Sequence, residues 1–128
     1  MSFPSISPFY EADTKVIVGE FTIAADGYSV ASQHIPGANA KAVAFVSTGL
    51  YTLTLDNTYS RLNYGNASCS LSTPKGLVAN VTGNGSPNQN LGVSAVNITF
   101  LASTTATTLG SAGVVQVCLI LRKSSVGT

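Results

Sequence analysis

Charge is what this chain has least of. Only 9% of its 128 residues are Asp, Glu, Lys or Arg, against about 25% in an ordinary globular domain. The six basic residues, Lys15, Lys41, Arg61, Lys75, Arg122 and Lys123, are scattered along the chain and leave a net charge of +1. Displacing counterions from phosphates takes a concentrated basic patch, so a nucleic-acid partner is disfavoured. His34 is the one histidine, and Cys69 and Cys118 are the two cysteines. A structural zinc site needs four nitrogen or sulfur ligands, more than these three residues supply. P-loop, GxGxxG, HExxH and GxSxG patterns are all absent, which removes the usual sequence support for nucleotide binding, zinc hydrolysis and a nucleophile elbow. The longest apolar stretch, Val114 to Leu121, is interrupted by Gln116 and is less than half a helical membrane span. The opening Met-Ser-Phe-Pro lacks a basic segment followed by an apolar run, so no secretory signal is expected. Production and assembly in a cytoplasm are expected, with the two cysteines as buried free thiols and a disulfide as the alternative.

Apolar residues, by contrast, make up 45% of the chain, and the mean hydropathy is +0.31. That is too apolar for a disordered segment, and 128 residues suffice for one domain with its own core. Ser and Thr together supply 30 positions, so hydroxyl groups do most of the solvating. Such a surface can be desolvated without the penalty of burying unpaired ions, which suits dense assembly.

Residues Met1 to Thr14 carry Pro4 and Pro8 among Ser and aromatic residues and read as an extended arm. Phe3, Phe9 and Tyr10 make it a candidate sticky end for a neighbouring subunit; a tail folded over its own core is the plainer alternative. From Lys15 to Thr128 the chain reads as one β-domain. Lys15 to Ala24 alternates Ile17, Gly19, Phe21 and Ile23 against Val16, Val18, Glu20 and Thr22, predicting one buried and one mixed face. Asp26-Gly27 marks a turn, Tyr28 to Gln33 a short strand, and Ile35-Pro36-Gly37 a break. Ala40 to Asp56 reads as a hairpin about Thr48-Gly49, with Val46 expected opposite Tyr51 and Ala44 opposite Leu53. Short strands are expected at Ala67 to Leu71 and Gly76 to Thr82, then a loop at Gly83 to Asn90, then strands at Gly92 to Leu101 and Val114 to Lys123. Ala102 to Gly113 is unassigned, and no segment has a sustained helical period. The expected fold is an all-β sandwich or jelly roll. In the last strand Val115, Val117, Leu119 and Leu121 line one face, while Val114, Gln116, Cys118 and Ile120 line the other. Both faces look covered, and the second set is a candidate subunit interface; cover by a long loop is the alternative.

Catalytic chemistry finds little footing, and no cofactor is expected. His34 sits beside Ile35-Pro36 and reads as a turn residue rather than a triad member. Of the five carboxylates, Glu11 and Asp13 lie in the arm, and Asp26 and Asp56 at positions where they would cap backbone donors. No oxygen cage for calcium is evident around Asp56-Asn57. Sequons at Asn66, Asn80, Asn84 and Asn97 read as chance in a chain rich in Ser, Thr and Asn. Tyr51 is assigned to the core, and Tyr59 and Tyr64, which flank Arg61, to a covering loop.

The runs GLYTLTLDNTYSRL (Gly49 to Leu62) and VVQVCLILRKSS (Val114 to Ser125) resemble a group of small tailed-bacteriophage virion proteins akin to capsid cement or decoration proteins. The resemblance implies a β-sandwich or jelly roll seated on the outer capsid surface, a homotrimer with the major capsid protein as partner, and no catalytic residues. It implies neither nucleic acid nor membrane as partner. The expectation is therefore a structural virion protein that stabilises the shell, with Phe3, Phe9 and Tyr10 of the arm as the candidate capsid contact. The alternative is a phage tail or receptor-binding module that holds a glycan on a loop such as Gly83 to Asn90.

Overall fold

The computed structural model describes residues 14–36, 38–85 and 88–123, with backbone alone at 38–42. All regular structure among them is strand: β1 (Thr14–Ile23), β2 (Val30–His34), β3 (Ala38–Ser47), β4 (Leu50–Leu71), β5 (Val78–Gly83), β6 (Leu91–Ala102), β7 (Thr105–Ala106) and β8 (Gly113–Arg122). They form one open antiparallel sheet in the order β2-β1-β8-β4-β6-β5, with β3 added to β4 and β7 to β6. The all-β expectation holds. The short pair β7 falls in the stretch that sequence left unassigned.

Strand β4 organises the molecule. Its 22 residues replace what the sequence pattern divides into a hairpin strand, a loop and a short strand from Ala67. The polar Asn57, Thr58 and Ser60 disguise the continuity, yet Tyr59 and Leu62 are both buried. Register breaks between Thr54 and Tyr59 and between Leu62 and Tyr64, as bulges that bend a strand do. The first part, from Leu50, pairs with β3 and β6; the second, from Arg61 to Leu71, pairs with β8.

The hairpin register differs by one residue from the expected one. Phe45, not Val46, opposes Tyr51, and Val43, not Ala44, opposes Leu53, with an irregularity between Phe45 and Ser47. Val46 is consequently 54% exposed and Val43 only 8%. The bulge admits Val43 to the core where the regular register would have placed the smaller Ala44, so more apolar area is buried.

The core gathers Ile17, Phe21 and Ile23 of β1, Tyr51, Leu53 and Leu55 of β4, Val96, Ile98 and Phe100 of β6, and Val115, Val117, Leu119 and Leu121 of β8. Tyr51 lies at its centre, with ring centroids 5.5 Å from Phe21 and 6.1 Å from Phe100. The second part of β4 approaches β5 closely because Gly65 has no side chain: a Cβ there would lie 2.5 Å from Cγ1 of Val81. The Asp26-Gly27 turn forms as expected. The Asp26 carboxylate accepts the Tyr28 and Ser29 amides, both at 2.9 Å, and the Gly110 amide donates to the Gly27 carbonyl at 2.9 Å. Asp56 instead lies within β4, where it accepts the Tyr59 hydroxyl at 2.8 Å.

Both cysteines are free and half-buried rather than fully buried. Cys69 opposes Val115 and packs against the core, while Cys118 opposes Asn66. The two thiols stand on opposite faces of neighbouring strands, because side chains alternate along each strand. Burial pushes the Cys69 thiol above its usual pKa.

Candidate interaction face

Strand β8 is central, flanked by β1 and β4, and this position puts its two sets of side chains on separate surfaces. Val115, Val117, Leu119 and Leu121 are at most 2% exposed. Val114, Cys118 and Ile120 are half-buried and Gln116 is exposed, so the second face is only partly covered. Among the described residues, the neighbouring strands β1 and β4 cover it from the sides.

Register converts this face into rows. Val16, Ile120 and Tyr64 form one; Val18, Cys118 and Asn66 the next; Glu20, Gln116 and Ser68 a third; Thr22, Val114 and Ser70 a fourth. Strand β2 extends the third row with His34 and the fourth with Ser32, whose hydroxyl meets that of Thr22 at 2.7 Å. With strands about 4.8 Å apart, the four strands make a platform roughly 15 Å across. Its first two rows hold Val16, 54% exposed, Val18, 59%, and Tyr64, 50%. The third row borders a shallow depression of about 350 Å³, lined by Glu20, His34, Asn66, Ser68, Gln116 and Cys118 among others. Charge is confined to the margins: Glu20 and His34 toward β2, and Arg61 opposite Arg122 beyond the first row.

The four residues expected at a subunit interface, Val114, Gln116, Cys118 and Ile120, thus share one outward surface. Phe3, Phe9 and Tyr10, the expected capsid contact, lie outside the described residues, as do Glu11 and Asp13. His34 is not a turn residue; it ends β2 opposite Glu20. Tyr64 is on the platform rather than in a covering loop, and Tyr59, also expected there, is a buried strand residue. The alternation of β1 did mark Val16 and Val18 as the residues of its second face. A smaller apolar patch lies elsewhere, where Tyr28 and Phe45 stack at 5.1 Å and Phe45 reaches the buried Tyr51 at 5.6 Å.

In the described part of the loop after β5, Asn84 and Asn90 are engaged internally. Asn84 Oδ1 accepts the Ser94 and Ala95 amides, each at 3.0 Å, its Nδ2 donates to the Ser94 hydroxyl, and Asn90 Oδ1 accepts the Gly83 amide at 3.0 Å. Among the described residues no three His, Cys, Asp or Glu side chains gather as a metal-binding group. Comparison with family models, with curated proteins and with solved structures gives no match.

Proposed function

We propose that this protein is a non-enzymatic structural component of a virion, a cement or decoration protein that self-associates through the platform of β1, β8 and the second part of β4. One observation carries this: two adjacent rows of the platform present Val16, Val18 and Tyr64 to solvent beside Cys118 and Ile120, with no charged side chain among them. Contiguous exposed apolar surface with a polar rim is what association surfaces use. In this reading the bent sheet works as a β-sandwich. Strands β2, β1, β8 and the second part of β4 form one layer, and β3, the first part of β4, β6 and β5 form the other. The assembly is a homotrimer, and its partner is the major capsid protein at the outer surface of the shell.

The test is Val18→Asp, which puts a carboxylate in the middle of the apolar rows. The wild type associates, and the variant keeps its β circular dichroism but runs as a monomer. An unchanged assembly in the variant overturns the assignment of the platform.

A receptor-binding module is the second reading. The depression favours it, because Glu20, Gln116 and Asn66 bring a carboxylate and two amides to one hollow, and such groups pair with sugar hydroxyls. Specific binding on a glycan array, abolished by Gln116→Ala, supports that reading over the first.

A further inference from the structure

Among the described residues, the second part of β4 is paired along one side only. From Tyr64 to Leu71 it pairs with β8, while β6 leaves β4 at the Arg61–Leu91 pair, just beyond which the Leu62 amide donates to the Asn90 carbonyl at 2.8 Å. Among the described residues no other strand takes over the opposite edge. A free edge presents a row of backbone donors and acceptors, and natural edges of this length are blunted with Lys, Pro or a covering segment. The stretch Asn63-Tyr64-Gly65-Asn66-Ala67-Ser68-Cys69-Ser70-Leu71 contains no charged residue and no proline. Val81 of β5 lies against Gly65 on the inner face, and β5 pairs with β6 rather than with this edge. The counterpart edges of β2 and β3 are instead tied together, the Val43 amide donating to Gln33 Oε1 at 2.8 Å.

The chain itself contains a segment shaped for such an edge. Phe3 to Glu11 reads Phe-Pro-Ser-Ile-Ser-Pro-Phe-Tyr-Glu, with prolines at 4 and 8. In an extended strand successive N–H groups point to alternate sides, so two prolines four apart remove donors from the same side. Phe3, Ser5, Ser7, Phe9 and Glu11 keep theirs on the other. Such a strand can pair along one edge and blunts the sheet on its far side, the only place a sheet tolerates proline. Its nine residues are enough to run the length of the Tyr64–Leu71 edge.

Reach decides which copy receives it. A strand added to β4 stands three strand spacings from β1, about 14 Å. With Phe3 to Glu11 all paired, only Ala12 and Asp13 remain before Thr14, and the three links from Glu11 to Thr14 span about 11 Å at most. The molecule's own edge is therefore too far.

We propose that residues 3–11 of one copy add as a strand to the Tyr64–Leu71 edge of a second copy, so that copies are linked by exchanged arms. This assigns the arm to a sister copy rather than to the shell or to its own core. It rests on the self-association proposed above and supplies a main-chain link for it, of the kind seen when a peptide extends a sheet. Head-to-tail exchange of this sort closes into a ring when the rotation between copies permits.

Proline parity tests it. Ser7→Pro removes a donor from the pairing side, whereas Ile6→Pro has the parity of the two native prolines. By light scattering, Ser7→Pro raises the concentration of half-dissociation about tenfold or more, and Ile6→Pro leaves it within about twofold. Both substitutions precede β1 in the sequence, and unchanged circular dichroism confirms the fold. Equal effects of the two prolines, or none from either in a protein that still associates, overturn the arm exchange while leaving the platform standing. A wild type that is monomeric at every concentration overturns both.

Discussion

The rings of Phe21 and Tyr51 meet at 5.5 Å although their strands, β1 and β4, share no backbone pairing in the sheet. The contact is one of side chains across the core, and it joins the β2-β1-β8 part of the sheet to the part that β4 shares with β3 and β6. Tyr51 is fully buried and still finds a partner for its hydroxyl, the Tyr28 carbonyl at 2.6 Å. Tyr51→Phe should therefore cost about 1 kcal/mol through the lost hydrogen bond, and Tyr51→Ala about 3–5 kcal/mol through the cavity. Urea unfolding of both variants separates the two contributions.

Stability should fall in alkali. Burial pushes the Tyr51 hydroxyl up to about 12, and burial with the hydrogen bond to Asp56 does the same for Tyr59. Both groups keep their protons in the folded state while the unfolded chain releases them near 10. Their contribution is complete below pH 10 and is lost as pH rises from 10 through 12, with a slope of up to about 1.4 kcal/mol per pH unit for each group. Equilibrium unfolding at a series of pH values checks the slope, and Tyr59→Phe should reduce it.

Gly65 is a packing requirement. Adding a methyl group there drives it against Val81, so Gly65→Ala should destabilise by about 1–3 kcal/mol. Val81→Ala in the same chain removes the obstacle and should recover part of the loss. A thermodynamic cycle on the two sites measures that coupling.

Asn84 ties its loop to β6 through one oxygen that accepts two amides. Asn84→Ala should cost about 1 kcal/mol, whereas Asn84→Asp keeps the acceptor and should cost less. Thermal unfolding of the pair distinguishes the acceptor from the side-chain amide donor.

Much of the fold was legible. The alternation in β1 and β8 identified their core faces correctly, because one face of each strand is uniformly apolar and a one-residue error would have exposed it. The same alternation grouped Val114, Gln116, Cys118 and Ile120 on one surface. The hairpin register was not legible, since Ala42 to Val46 is apolar on both faces and only the bulge beside Val46 decides between them. The continuity of β4 was hidden as well, its middle being polar exactly where two bulges bend it. The platform needed the register of three strands, and Val16, Ile120 and Tyr64 are far apart in sequence. No local pattern brings them into one row.

The most direct test of the account is the native molar mass of the wild-type protein across a roughly hundredfold dilution, by size exclusion with light scattering. The account predicts a multiple of the 13.1 kDa chain mass, a trimer at the upper concentrations. A clean monomer throughout would contradict it, leaving the Val16, Val18 and Tyr64 surface without the sister copy assigned to it.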